Sequence, residues 1–458
     1  MANEPVLAQA LRTLPAPAPE AVVVDNFVDA LMDVLGFDKQ KRIPQFATGQ
    51  GADHVDFAAR YDDSEGRSFI QSPVDPYFLV EAKGTDSNLS YGTPQYRSTF
   101  NQLRRYLLAP KCKNAQWGLI INSVHMQLFR KHHKVIFPAT PCLEIKPETI
   151  DQVVHNQIAP LLRQPSRALV VAVYNNKGGV GKTTTTINLA SLLNFIGYST
   201  LVIDFDPNQR DLTETLEVTS QSPTLFDCLD DDRLDIHEAI ATYRKLDKKA
   251  NKEYGIDILP APKVEDLKTD DPNSKGIDIN DLIRKIGYHK LKKAIDSLRS
   301  EYDYIFIDSP PNWQYFSQEA VYASDVILMP VKPNNVYSID NAAEAIREFF
   351  PAIQAKRQDG GPIALPIFFN GEKLSNSQHQ RVRVYLEELI ARHKKDYKFD
   401  LTPYFFPRLT NARKDYRVFE LENHAEISGA SFSRLPAVYA HKTARDYYLN
   451  LAKEYFIQ

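Results

Sequence analysis

The feature that most constrains this chain is the stretch Asn176-Lys177-Gly178-Gly179-Val180-Gly181-Lys182-Thr183-Thr184. It follows the apolar run Ala168 to Tyr174, which reads as a buried strand, and precedes Thr185 to Leu193, which reads as a helix. Strand, glycine loop and helix in that order form the context of a phosphate-binding loop in an α/β sheet. Gly178, Gly179 and Gly181 let backbone N–H groups converge on an anion without Cβ clashes. The helix N-terminus adds its partial positive charge. Lys182 can reach the β- and γ-phosphates of a nucleotide, and the Thr183 hydroxyl can bind Mg²⁺. The alternative is a chance glycine turn. Lys-Thr directly after the last glycine, between strand and helix, argues against it.

Lys177 is not explained by an ordinary phosphate loop. With this second lysine, Lys-Gly-Gly-Val-Gly-Lys-Thr resembles the deviant Walker A motif of the ParA/MinD ATPases. The resemblance implies that Lys177 contacts the nucleotide of a second subunit, that ATP closes a homodimer, and that residues 178–184 cradle ATP with Mg²⁺.

At 458 residues the chain has room for more than one domain. An apolar fraction of 43% and a charged fraction of 25% suit a globular protein. No run approaches the length of a membrane span, so no membrane partner is expected. The start, Met-Ala-Asn-Glu-Pro, lacks the pattern of a signal peptide. Cys112, Cys142 and Cys228 are isolated and form neither a metal cluster nor a disulfide framework, so the cytoplasm is the expected compartment. A net charge of −3 leaves any nucleic-acid affinity to a local basic patch.

Taken in order, residues 1–17 are rich in Ala and Pro and read as a flexible lead-in. Residues 18–164 form a first domain. Val23, Val24, Phe27, Leu31, Val34 and Leu35 make a helical stripe ended by Gly36. The runs 54–61 and 77–84 read as strands carrying Asp56 and Glu81, with Lys83 on the same face as Glu81. Buried unpaired carboxylates are costly. Two carboxylates and a lysine on one side are the parts needed to hold a divalent cation and activate water. A helix follows, with Gln102 and Tyr106 on one face, then a hairpin carrying Asn122.

This series, over residues 20–135, resembles the PD-(D/E)xK nucleases, in particular the N-terminal domain of type I restriction R subunits. The resemblance assigns Asp56 and Glu81 to a second Mg²⁺ or Mn²⁺ and Lys83 to water activation or charge stabilisation. It gives Gln102 and Tyr106 supporting roles. The Pro usual before the first acid is missing. The alternative is a nuclease fold kept as an inert binding platform.

The second domain, 167–458, reads as a parallel, doubly wound P-loop sheet, because strands alternate with helices. Residues 200–207 are a strand ending in Asp204-Phe205-Asp206-Pro207, and residues 302–311 an apolar strand ending in Asp308. Carboxylates at the C-terminal ends of such strands lie where ligands gather. The ParA-type resemblance assigns Asp206 to the attacking water and Mg²⁺ and Asp308 to control of Mg²⁺. A plain helix cap is the alternative for Asp206. The loop after Asp206 is about one residue longer than the family pattern. Residues 326–331 and 363–370 read as single strands, and the resemblance gives Asn370 at the end of the latter the task of reading adenine.

Residues 380–458 carry a mild excess of Lys and Arg, with Arg408, Arg413, Lys414 and Arg417 clustered as candidate DNA contacts. A solvated charged face is the alternative. The resemblances together imply a Mg·ATP-driven dimerising ATPase on DNA, stimulated by an adaptor protein, associated with nucleoid or plasmid. An ATP-gated nuclease in phage defence or restriction is the competing reading, and a regulatory ATP switch with an inert nuclease fold a third.

Overall fold

The computed structural model describes residues 5–165, 167–247, 252–263, 283–284, 286–287, 289–311, 314–371, 373–406, 418–422, 427 and 435–457. The chain divides into two compact units. One comprises Met1–Ser166 with Gln358–Gly361 and Phe456–Gln458, the other Arg167–Arg357 with Pro362–Tyr455. The two short segments, expected in the second domain, go with the first for local reasons. Lys134 N donates to Phe456 O at 3.4 Å. Gly360, at φ +86°, lies so close to Pro138 and Thr140 that a Cβ would meet them at 2.7 and 2.8 Å.

In the first unit, strands β1 (Arg42–Ala47), β2 (His54–Ala59), β3 (Phe78–Ala82), β4 (Trp117–Ile121), β5 (His125–His132) and β6 (Val135–Pro138) lie side by side in chain order. A short β7 (Leu143–Glu144) pairs with β5. All neighbours are antiparallel except β3 and β4, which are parallel. That parallel pair needs a crossover, supplied by a helix over Pro94–Leu107. Thr93 caps it by accepting from Tyr96 N at 3.2 Å, and Pro94 occupies its first turn, where no N–H is needed. Its C-terminal end is closed by Lys131, which donates to the carbonyls of Leu107, Cys112 and Lys113 at 2.7, 2.9 and 2.7 Å.

The sheet buries Phe57, Ala59, Phe78, Val80 and Ala82 on one face, against helices at residues 20–34 and 150–163. Residues 147–162 read from sequence as a connecting helix with Ile150, Val153, Val154, Ile158 and Leu161 on a rough stripe. Ile150, Val154, Ile158 and Leu162 are buried in this core, with Val153 and Leu161 packed against it. The lead-in differs from expectation. Val6–Arg12 is a helix whose Leu7, Ala8 and Leu11 are buried in the same core. Leu7 and Leu11 stand four apart, a helical signal masked by the Ala/Pro composition around it.

In the second unit the main sheet runs β10 (Ala241–Asp247), β11 (Lys252–Leu259), β9 (Thr200–Asp204), β12 (Tyr304–Asp308), β8 (Leu169–Val173), β13 (Val326–Leu328), β15 (Ile363–Ala364). It is parallel apart from the β10–β11 hairpin. β8, β9 and β12 are buried at every residue because helices cover both faces. The helix Lys182–Phe195 packs on one side. Helices Leu225–Asp230, Lys290–Leu298 and Tyr315–Ala323 pack on the other.

Two expected strands are broken. Residues 326–331 split into β13 and β14 (Pro330–Val331), and 363–370 into β15 and β16 (Phe368–Gly371). β14, β16 and β17 (Phe419–Glu422) form a separate three-stranded sheet. Pro330 and Pro366 stand in these stretches. Proline cannot donate to a ladder, and the chain leaves the first sheet around each. The C-terminal helix, Lys442–Tyr455, packs on helix Lys182–Phe195, where Tyr448 donates to Thr184 O at 3.4 Å. Among the described residues no helix is long and apolar enough to cross a membrane.

Candidate functional site

Parallel register brings the nucleotide-loop residues together. Asp308 aligns with Val173 on one side and Asp204 on the other, so the ends of β8, β12 and β9 lie at one level. The loop leaves β8 there and turns into helix Lys182–Phe195 through Gly179 and Gly181, at φ +71° and +86°. These are left-handed values that only glycine adopts without strain. A Cβ on Gly181 would meet the Asn370 amide nitrogen at 2.3 Å.

That amide donates to Val180 O at 2.9 Å. Asn370, to which the resemblance gives the reading of adenine, lies at the loop on the wall of a cleft of about 310 Å³. Gly179, Val180, Gly181, Thr184, Lys332 and Asn334 line the same cleft. Lys332 and Asn334 carry no motif and were not legible in the sequence.

Lys182 is buried and lies near the carboxylates of Asp308, Asp206 and Asp211. Burial nevertheless wins and pulls its ammonium below the ordinary lysine range. Among the described residues its Nζ donates to Lys177 O alone, at 3.4 Å. Thr183 Oγ1 donates to Asp308 Oδ2 at 2.7 Å. Asp308 Oδ1 is buried with no hydrogen-bond partner among the described residues. Burial, then the neighbouring Asp204, raises the Asp308 carboxyl well above the usual carboxylate range. An orphaned carboxylate oxygen beside a threonine hydroxyl fits a site for Mg²⁺, held by Thr183 and steered by Asp308, directly or through water. Among the described residues no group of three or more His, Cys, Asp or Glu could hold a metal ion.

Asp206 Oδ1 accepts from Asn208 N and Gln209 N, both at 3.2 Å. These bonds hold a turn over residues 207–209. The next helix, Asp211–Thr215, has Arg210 at its N-cap, so Asp206 is not a helix cap, and it lies close enough to Lys182 to be felt by it. Asp204, to which the sequence gave no task, organises the loop. Its Oδ2 accepts from Thr213 N at 2.9 Å and Oγ1 at 2.6 Å. Burial pushes its carboxyl up to about 6. In this loop Arg210 stands at φ +52°, and its Nε donates to Ala261 O at 2.9 Å.

The first unit holds a second cluster. The register pairing Ala58 with Leu79, continued by two residues, sets Asp56 opposite Glu81. Asp56 Oδ2 accepts from Ala82 N at 2.8 Å, and its Oδ1 from Gln45 Nε2 at 3.0 Å. Lys83 Nζ donates to Glu81 Oε1 at 2.6 Å and lies 3.5 Å from Glu20 Oε2. Burial and then Asp56 push the Glu81 carboxyl up to about 7, despite Lys83. Burial pulls Lys83 down, but Glu81, Glu20 and Asp56 together outweigh it and hold its ammonium above the ordinary value. Glu20 was missed by sequence reasoning. It is far from Glu81 in the chain, and no spacing signals it.

Gln102 Nε2 donates to Tyr106 OH at 2.8 Å. Tyr106 packs in the core with Leu79 and Ala58, on the sheet face that bears Asp56 and Glu81. Among the described residues neither side chain hydrogen-bonds Asp56, Glu81 or Lys83. Arg408, Arg413, Lys414 and Arg417 lie outside the described residues.

Residues 168–359 match the family model described as AAA domain. The chain is 34% identical over 166 residues to the sporulation initiation inhibitor protein Soj of Bacillus subtilis, covering 36% of this chain and 58% of that protein. It is 30% identical over 167 residues to the chromosome partitioning protein ParA of Caulobacter vibrioides, covering 36% and 55%. The chain thus spans little more than half the length of these curated relatives. Among solved structures, the cell division ATPase MinD of Pyrococcus furiosus matches at 19% identity and a TM-score of 0.43, covering 63% of this chain and 98% of that one.

Proposed function

We propose that this chain, whose C-terminal part is of the ParA/MinD type of P-loop ATPase, is a Mg·ATP-dependent dimerising ATPase that acts on DNA in segregation. Relatives named for chromosome partitioning support the role. The observation that carries the ATPase reading is the Lys182–Thr183–Asp308 arrangement at the ends of three adjacent parallel strands.

Each residue then has a task. Gly178 to Thr184 present backbone N–H groups to the phosphates, and Lys182 sets its charge against the β/γ oxygens. Bound Mg²⁺ supplies Lewis-acid stabilisation of developing charge on phosphoryl oxygens. Asp206 orients the attacking water. Lys177 completes the pocket of a second copy, so ATP favours the dimer and hydrolysis releases it. The nuclease-like first unit serves as a further DNA-binding or partner-binding module, and an adaptor protein stimulates turnover. This places the protein in the cytoplasm, on nucleoid or plasmid.

One specific observation favours a second reading, an ATP-gated metal-dependent nuclease. Asp56, Glu81, Glu20 and Lys83 converge beside a parallel β3–β4 pair joined through a crossover helix. Plasmid DNA incubated with Mg²⁺ or Mn²⁺, with and without ATP, separates the two. Metal-dependent cutting abolished by Lys83→Ala supports the nuclease and excludes the purely segregational and regulatory readings. No cutting, with ATP-dependent DNA retention abolished by Lys182→Ala, supports the segregation ATPase.

A further inference from the structure

Asn175, at the end of β8, lies just before the glycine loop and is 2% exposed. All three of its side-chain hydrogen bonds go to backbone. Its Oδ1 accepts from Lys177 N at 2.9 Å. Its Nδ2 donates to Pro330 O at 2.9 Å and to Ser338 O at 3.3 Å. Lys177 is therefore pinned at both polar groups of its own backbone, the N–H by Asn175 and the carbonyl by Lys182 Nζ at 3.4 Å. Its side chain, by contrast, is exposed and makes no hydrogen bond or ion pair among the described residues. An exposed lysine on a loop ordinarily loses rotamer and backbone freedom on meeting a partner. Here the backbone part of that cost is met within the subunit.

The other end of the Asn175 clamp is equally defined. Ser338 Oγ accepts from Lys332 N at 3.0 Å, and its single proton lies between Asn335 O at 2.9 Å and Lys332 O at 3.1 Å. Asn335 Oδ1 accepts from Ser338 N at 3.3 Å. The segment from Pro330 to Ser338 is thus one braced piece. It carries Lys332 and Asn334 on the cleft wall and the exposed apolar Val336 and Tyr337 beside them. Asn175 joins this piece to the peptide that bears Lys177.

We propose that Asn175 is a positioning residue: it fixes the direction in which Lys177 leaves the loop and couples it to the 330–338 wall, so that lysine and wall meet a second copy as one preformed surface. The inference rests on the reading of Lys177 as a residue acting across an ATP-bound dimer.

The test is a double-mutant cycle on ATP-dependent self-association of the full chain, followed by analytical ultracentrifugation with a slowly hydrolysed ATP analogue and Mg²⁺. Binding of fluorescent nucleotide is measured in parallel. Asn175→Ala is expected to weaken dimerisation about tenfold, the scale of one lost buried hydrogen bond, while nucleotide affinity changes less than about threefold. In a Lys177→Ala background the same change is expected to have no further effect, because Asn175 acts through Lys177. Losses that add in the double variant, or Asn175→Ala dimerising like wild type, overturn the proposal. Asn175→Asp keeps the acceptor for Lys177 N and serves if the alanine variant does not fold. It is expected to dimerise better than Lys177→Ala, and equal weakness of the two overturns the proposal. A wild-type protein that stays monomeric with the analogue bound, or a Lys177→Ala variant that dimerises normally, defeats the parent reading rather than this one.

Discussion

Each unit gathers one lysine and several carboxylates, at the C-terminal ends of parallel strands in the second unit and across an antiparallel strand pair in the first, yet the two lysines are treated oppositely. Lys83 donates to Glu81 at 2.6 Å, and its carboxylate neighbours hold its ammonium above the ordinary value. Lys182 has no carboxylate within ion-pair distance among the described residues, donates to a backbone carbonyl, and is pulled down by burial. The glycine loop beside it, with Gly179 and Gly181 at positive φ, is of the kind whose N–H groups can converge on an anion. A buried cation with no ion-paired anion suits an anionic ligand. A carboxylate pair that shares a single lysine is the arrangement the nuclease reading calls for. The contrast teaches that residue type does not decide which ligand a site takes. The pairing left incomplete decides it.

The largest expected effect comes from removing the unpaired cation. Lys182→Ala is expected to lower ATP turnover by roughly 10²-fold or more, read by phosphate release, because a preorganised charge aimed at the phosphates is lost. Lys83→Ala is expected to leave that rate within about twofold, since its charge is satisfied within its own unit. Comparable losses in both variants would break the comparison.

A buried carboxylate in neither cluster calibrates burial alone. Glu319 is 2% exposed and accepts from His289 N at 2.7 Å. Burial raises its carboxyl from 4.5 to about 7, against the lowering effects of that hydrogen bond and Lys356. With the folded value raised, the stabilising contribution is complete below about pH 4.5 and is lost as pH rises through about 7. Glu319→Gln keeps the acceptor. Urea unfolding is expected to find it more stable than wild type by roughly 2–3 kcal/mol at pH 8 and equal near pH 4.5. A pH-independent difference would show that burial is not the cause.

Asp308→Asn removes the carboxyl oxygen that would steer Mg²⁺ behind Thr183. Apparent Mg²⁺ affinity in the ATPase assay is expected to fall about 10- to 100-fold, the usual range for groups that steer metal ligands. In the first unit the effect is smaller and falls on stability. Mn²⁺ at millimolar concentration is expected to raise the unfolding temperature of wild type by a few degrees, and that of Glu81→Gln by less, since binding to the folded state alone stabilises it by roughly 1–3 kcal/mol. Equal shifts in both proteins would remove the case for a cation at Asp56 and Glu81.

What was legible in the sequence follows the same division. The strand–loop–helix unit at 168–193 could be read because glycine, lysine and threonine act locally, within one turn of chain. The alternation that brings Glu81 and Lys83 to one face is equally local. Broken strands were harder, because an apolar run does not say which sheet each half joins, and only Pro330 and Pro366 hinted at a change. Asp204 looked like the idle member of a pair, since its partner Thr213 lies in a loop whose path no spacing sets. Glu20 was invisible for the same reason at longer range. The helix at Val6–Arg12 was hidden by composition, although Leu7 and Leu11 carried its period.

The most direct test of the account is equilibrium binding of ATP, with and without Mg²⁺, to the full chain and to Lys182→Ala. The account predicts saturable, Mg²⁺-strengthened binding to wild type that the variant loses. Absence of binding to wild type, or binding of the same strength and Mg²⁺ dependence in the variant, would contradict it.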